Sequence, residues 1–186
     1  MTQLSSKEPN LIEPFDPEKH DRAAFSCGIR QIDNFFQQTA NRQEKANNLR
    51  TYVMVTSHSE VIGFYATNAH AVDYQDLPSK YARNRPRHGS IPAAYISMIG
   101  VDEKHQGKGE GGVLLTDCLE RLYNASLIVG ISVVMLDVFD CGDSTLVQRR
   151  ISLYQSYGFE QLPANELRMF IPMKTIEELF SRSEHM

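Results

Sequence analysis

Along the chain the spacing of apolar positions switches between a two-residue and a 3.6-residue period, and each switch marks a change of element. The segment "NLIEPF" reads as a short first strand, and "DPEKHDRAAFSCG" as a helix opened by Asp16 and Pro17 and closed by Gly28. In "IRQIDNFFQQTANRQEKA" the residues Ile29, Ile32, Phe35, Phe36 and Ala40 recur at helical spacing and give one buried face. "LRTYVMVTS" and "VIGFYATNAHAV" are β-branched and aromatic runs joined by the polar "HSE", which predicts two adjacent antiparallel strands. "DYQDLPSKYARNRPRHGSIP" is broken by prolines and reads as a loop, after which "AAYISMIGV" is a further strand. Val113, Leu114, Leu115, Cys118, Leu119, Leu122 and Tyr123 form a helical stripe, and "ISVVMLDVF" is a nearly continuous apolar strand of the kind covered on both faces. That strand, helix and strand make a parallel crossover.

The remaining quarter closes the pattern. "GDSTLVQRRISLYQSYGF" offers Asp143 or Ser144 as a helix N-cap, Val147, Ile151 and Tyr154 as its apolar face, and Gly158 as its stop. "FEQL" and "LRMFIPM" flank the turn-forming "PAN" as a strand pair, and "TIEELF" is a short terminal helix. No repeat and no linker composition marks a second domain, so residues 1–186 are expected to form one α/β domain with antiparallel strands first and a parallel pair in the middle.

Charge and cysteine content narrow the classes. A net charge of -4 argues against a surface built wholly to hold nucleic acid, which needs a dense Lys/Arg face. Lys80, Arg83, Arg85, Arg87 and His88 nevertheless form one local basic loop with Tyr81 among them. Cys27, Cys118 and Cys141 are odd in number and lack C-x-x-C spacing, which points to core thiols in a reducing compartment and to no metal site. The N-terminus lacks an apolar signal core and no run approaches the ~20 apolar residues of a membrane span. A soluble, cytoplasmic protein is expected.

"HQGKGEGG", residues 105–112, places Gly107, Gly109, Gly111 and Gly112 within six positions. Gly107, Gly109 and Gly112 satisfy G-x-G-x-x-G, but "DEKHQ" separates them from the strand end at Val101, where a dinucleotide fingerprint would begin its turn. A phosphate-binding P-loop fails as well, because Lys108 is followed by Gly109 rather than Ser or Thr. Two readings remain: close packing of a helix on a sheet, or a first helical turn whose bare N–H groups and dipole hold an anion. In the second, Lys108 adds positive charge, and Glu110 suits the helix dipole provided its side chain points away from the phosphates.

Gln106-Gly107-Lys108-Gly109-Glu110-Gly111 resembles Q/R-x-x-G-x-G/A, the acyl-CoA pyrophosphate loop of the GNAT (GCN5-related N-acetyltransferase) superfamily. "IPAAYISMIGVDEKHQGKGEGGVLL" is similar to that superfamily's central strand, loop and helix, and "LYQSYGF" to its late FY-x-x-x-GF element. "FSCGIRQIDNFF", "TYVMV", "VIGFYA" and "MFIPM" resemble the branch that contains toxin acetyltransferases of toxin–antitoxin pairs, which acetylate the amino group of aminoacyl-tRNA. The resemblance implies a GNAT fold: a mixed central sheet with antiparallel N-terminal strands, a splayed parallel pair in the middle, and flanking helices.

It also implies acetyl-CoA as cosubstrate without metal, and direct transfer to a primary amine in a ternary complex. The pyrophosphate would lie on Gln106, Gly107, Lys108, Gly109, Glu110, Gly111 and Gly112, and pantetheine along the unpaired backbone of Ile99, Gly100 and Val101. Tyr154 takes the place of the family's proton donor, with Tyr157 as runner-up. The acidic residue that precedes this tyrosine by about seven positions in the family stands fourteen before it here, as Asp140. Seven added helical residues rotate a side chain by only about 20°.

Asp137 and His70 are proposable bases, but neither is assigned. The acceptor stays open between aminoacyl-tRNA, reached through the 80–88 loop, and a protein or small-molecule amine. Met98 occupies the place where the toxin branch often carries Arg. An antitoxin protein and a second copy of the chain are the implied partners. The alternative class is a non-catalytic acyl-CoA-binding or regulatory module.

Overall fold

The structure, a computed structural model, describes residues 10–81, 83, 87 and 89–183. Strands β1 (Leu11–Pro14), β2 (Arg50–Val55), β3 (Val61–Asp73), β4 (Ser90–Val101), β5 (Val133–Asp137), β6 (Glu160–Leu162) and β7 (Asn165–Pro172) form a seven-stranded sheet in the order β1-β2-β3-β4-β5-β7-β6. The helices are α1 (Arg30–Asn34), α2 (Ala40–Lys45), α3 (Glu110–Ser126), α4 (Ser144–Ser156) and α5 (Met173–Ser183). β4 and β5 pair in parallel from Ala93↔Val133 to Ile96↔Leu136, and β5–β7 and β6–β7 are antiparallel. This is the mixed α/β sheet expected from the sequence. Among the described residues no helix is long and apolar enough to cross a membrane.

The packing groups the chain into two compact units, residues 1–66 with 98–114, and residues 67–97 with 115–186. The first has an aromatic core of Phe15, Phe25, Ile32, Phe36, Ala40, Val53, Val55 and Phe64, against which Ile29, Phe35 and Met98 pack. Phe36 and Phe64 stack at 4.3 Å between centroids, and Phe25 meets both edge-on. Burying each such ring contributes roughly 1.5–3 kcal/mol. In the second, one cluster lies on one face of β4, β5 and β7, where Ala93, Val133, Met135 and Phe170 lie with Val72, Leu77 and Leu162, and the alternate residues Val134, Leu136, Met169 and Ile171 are buried too.

Two expected helices differ from their patterns. Residues 16–28 form turns, because short polar side chains capture the backbone donors a helix would use. The Asp16 carboxylate accepts the Glu18 N–H at 2.9 Å, His20 Nδ1 accepts the Asp16 N–H at 3.0 Å, and Asp21 accepts the Ala23 N–H at 2.9 Å. The 29–46 helix is interrupted: α1 and α2 are joined by a π-helical turn, Phe35–Thr39, which keeps Ile32, Phe36 and Ala40 buried together. The α4 pattern holds, with Asp143 as N-cap accepting from Thr145 and Leu146, and Gly158 beyond its end at φ +93°.

Candidate active site

The end of β4 is prepared by its pairing. The Asp102 N–H donates to Ile62 O at 2.8 Å, so antiparallel alternation turns the peptide groups of Val101 and Ile99 to the opposite side of the strand. On that side the parallel register stops at Ile96. Gly100 is buried, and a Cβ there would stand 3.0 Å from Ile32 Cγ2 and 3.4 Å from Phe64. Its glycine is therefore explained by packing, whereas Ile99 and Val101 are half-buried.

Beyond β4, Asp102 is almost fully buried and caps a 3-10 turn, Glu103–His105, accepting Lys104 N–H at 3.0 Å and Ser26 N–H at 3.1 Å. The Gln106 amide then ties the loop back, donating from Nε2 to Val101 O and to Cys27 O, both at 2.9 Å. Gly107 and Gly109 take φ of +74° and +88°, and a Cβ at either would meet no atom within 4 Å. Their glycines are demanded by the left-handed backbone and not by neighbouring side chains.

α3 starts at once at Glu110, with Gly112 and Val113 N–H both on Gly109 O. Its opening turn thus presents backbone donors and the positive dipole end on an exposed, glycine-bare surface. Lys108 folds back, donating from Nζ to Lys104 O at 2.7 Å. Glu110 is buried, and its carboxylate accepts from Asn10 Nδ2 at 3.1 Å, in the segment before β1.

Tyr154 belongs to the second unit. It lies on the buried face of α4 with Phe159 edge-on at 5.8 Å, and its hydroxyl makes no hydrogen bond to a described residue. Burial pushes that hydroxyl up to about 12, with Cys118 adding to the rise and Arg150 opposing it, so its proton is retained throughout the physiological range. The expected helical rotation from Asp140 to Tyr154 does not apply. Asp140 accepts the Gly142 N–H at 2.9 Å in a turn, and the helix begins only at Ser144.

Asp137, one of the two proposable bases, is engaged by other side chains. Asp137 receives both arms of Arg168, at 2.7 and 2.8 Å, and the Tyr95 hydroxyl at 2.8 Å. The Arg168 hydrogen bond holds its carboxyl below the ordinary range, which makes it a weak base. Burial, with Asp137 beside it, pushes Tyr95 up to about 12, and the His70 ring lies against the Tyr95 ring at 5.3 Å.

In the basic loop Lys80, Arg83 and Arg87 are exposed, while Arg85 and His88 lie outside the described residues. The loop is anchored at its start: the Tyr81 hydroxyl donates to Glu160, its ring meets Phe170 edge-on at 5.3 Å, and Lys80 Nζ sits 4.5 Å above it. The three thiols are unequal. Cys27 and Cys118 are buried and pushed up by desolvation, Cys27 to about 12, whereas exposed Cys141 is lowered by the Asp143 backbone and the Arg150 guanidinium. Among the described residues no group of three or more His, Cys, Asp or Glu residues is placed to hold a metal ion.

The structure joins Val101 directly to Gln106 and sets Gly107–Gly112 at the opening of α3. Ser26 and Cys27 meet this loop's base and Asp33 holds both, a role sequence reasoning misses because "FSCG" reads as the end of a helix. The Ser-Cys-Gly cluster between apolar runs was the available turn signal.

Comparison with known proteins matches residues 13–159 to the acetyltransferase (GNAT) family. A probable toxin TacT of Sinorhizobium fredii (strain NBRC 101917 / NGR234) is 57% identical over 170 residues, covering 91% of this chain and 94% of that protein. The solved structure of AtaT complexed with acetyl-methionyl-tRNAfMet aligns at a TM-score of 0.80 and 26% identity, covering 92% of this chain and 99% of that one. A crystal structure of AtaTR bound with acetyl-CoA aligns at a TM-score of 0.77 and 27% identity, covering 92% and 98%.

Proposed function

Since the chain belongs to the acetyltransferase (GNAT) family, we propose that it moves the acetyl group of acetyl-CoA to the α-amino group of an aminoacyl-tRNA, as the toxin of a toxin–antitoxin pair. The observation that carries this reading is the 57% identity, over nine-tenths of the chain, to a probable toxin TacT. The structures of AtaT with acetyl-methionyl-tRNAfMet and of AtaTR with acetyl-CoA support the acceptor and the cosubstrate. Charged tRNA is a cytoplasmic substrate, and we place the reaction there. Residues 1–186 act as one N-acetyltransferase domain, with an antitoxin protein and a second copy of the chain as its partners.

In this reading the roles are as follows. Backbone N–H groups from Gly107 to Gly111 receive the pyrophosphate at the α3 N-terminus, the Gly112 N–H being taken by Gly109 O. Ile99 and Val101 pair with the pantetheine amides as a further strand would. The neutral amine attacks the thioester carbonyl carbon, the C–S bond breaks, and sulfur leaves with the bonding pair. Tyr154 donates its hydroxyl proton to that thiolate, the acetylated nitrogen loses one proton to water, and solvent returns one to Tyr154, so the proton count closes. Holding both substrates in register supplies much of the rate. We assign the phosphates of the acceptor to the basic 80–88 loop.

Mass spectrometry of purified protein incubated with acetyl-CoA and charged total tRNA tests the reading. An N-acetyl aminoacyl adduct is expected. Acetylation of a protein or small-molecule amine with none on tRNA would overturn the acceptor, and coenzyme binding without transfer to any amine would overturn the enzyme.

A further inference from the structure

Gln106 stands in the expected phosphate loop, yet both hydrogen bonds of its amide nitrogen run inward. One goes to Val101 O at the end of β4, the other to Cys27 O, a partner 79 residues away in sequence. Cys27 is in turn held by Asp33 on α1, whose Oδ1 accepts the Cys27 N–H at 2.7 Å and whose Oδ2 accepts the Ser26 hydroxyl at 3.2 Å. Ser26 O accepts the Glu103 N–H at 2.8 Å, and Ser26 N–H donates to Asp102. Gly28 adds a left-handed backbone at φ +81°. Gln37 fixes the preceding residue by donating to Phe25 O at 2.7 Å.

The loop that follows is the opposite. Gly107 and Gly109 have nothing packed within 4 Å of where a side chain would begin, so its conformation depends on the tethers at its base. A loop that must be ordered by its ligand costs affinity, and one ordered beforehand does not. We propose that Asp33 is a positioning residue for acetyl-CoA: through Ser26 and Cys27 it fixes the carbonyl that holds Gln106, and so sets the end of β4 and the glycine loop before the coenzyme arrives. The role is one of alignment and not of chemistry. The Cys27 thiol, buried and pushed up to about 12, takes no part as a nucleophile. The proposal rests on the acetyl-CoA reading above.

Calorimetric titration with coenzyme A, paired with steady-state kinetics, tests it on the full chain. Asp33→Ala should raise the Kd for coenzyme A and the KM for acetyl-CoA on the order of tenfold, the effect of losing one or two hydrogen bonds to a charged group. The KM for the acceptor should stay near wild type, while the melting temperature drops modestly because the Cys27 N–H loses its acceptor. Asp33→Asn, which keeps one acceptor oxygen, should recover part of the loss.

Gln106→Met, similar in length but without donors, should reproduce the effect, and the double variant should fall short of the sum because both act on one chain of bonds. Wild-type affinity in both single variants, or strict additivity, overturns the proposal. A lower melting temperature with unchanged KM overturns it too, since that marks a structural residue. Should Asp33→Ala fail to fold, Asp33→Asn carries the test: weakened coenzyme A binding with the acceptor KM unchanged supports the latch, and wild-type affinity sinks it. A wild-type chain that does not bind coenzyme A would instead remove the acetyltransferase reading itself.

Discussion

Two regions carry polar groups in quite different ways. Tyr95, Asp137 and Arg168, with His70 against Tyr95, have the side chains usually sought in an active site, and the first three are joined by hydrogen bonds at 2.7–2.8 Å. The segment from Gly107 to Gly112 has little side-chain chemistry, its lysine and its acid both turned to other partners. The chemistry of the second region lies in its backbone, which is left-handed, glycine-bare and followed at once by a helix start. Residue type alone points to the first region, and following each polar atom to its partner finds its side chains already engaged with one another.

That contrast can be tested by substitution. The largest effect is expected away from both regions, at the proposed donor. Tyr154→Phe should cut turnover on the order of a hundredfold with coenzyme A affinity retained, and unchanged turnover would remove Tyr154 from the reaction. Within the glycine loop, Gly109→Val forces a β-branched residue to φ +88° at a strain of about 1–2 kcal/mol. Affinity for coenzyme A should fall roughly five- to thirtyfold while the melting temperature moves little; equal affinity would show that the loop backbone is not the binding surface.

Arg168→Ala should do the reverse. It removes a partly exposed bidentate pair and should lower stability by about 1 kcal/mol, with turnover per folded molecule unchanged. Asp137 has its pKa lowered mainly by the Arg168 hydrogen bond, so its contribution is present above the unfolded carboxylate pKa and fades as pH falls through the depressed folded value. The wild-type advantage over Arg168→Ala in urea unfolding should therefore narrow as pH drops below about 4. A gap that stays constant would mean the pair does not stabilise Asp137 in its ionised form.

Much of this was legible in the sequence, for reasons particular to each element. The strands declared themselves through β-branched runs, α3 through its apolar stripe, and α4 through Asp143 and Gly158, since all of these act over a few residues. The 16–28 segment was misread because Asp16, Asp21 and Gly28 suit helix ends and turns equally, and only the folded chain shows where their hydrogen bonds go. The glycine loop was visible as a local pattern. Its support was not: the Gln106–Cys27 bond spans 79 residues, and the Asp137–Arg168 pair depends on the β5–β7 register. The role given to Tyr154 came from family resemblance, because a tyrosine on an amphipathic helix looks the same whether it packs or donates a proton.

The unequal thiols have a practical consequence for watching the molecule work. Cys27 and Cys118 are buried and hold their protons, while Cys141 is exposed, shifted toward thiolate, and placed just before the helix that carries Tyr154. A maleimide dye at neutral pH would therefore attach at one position without any engineered cysteine. The unaltered chain thus carries its own reporter, through which changes at the start of α4 during turnover are readable as fluorescence.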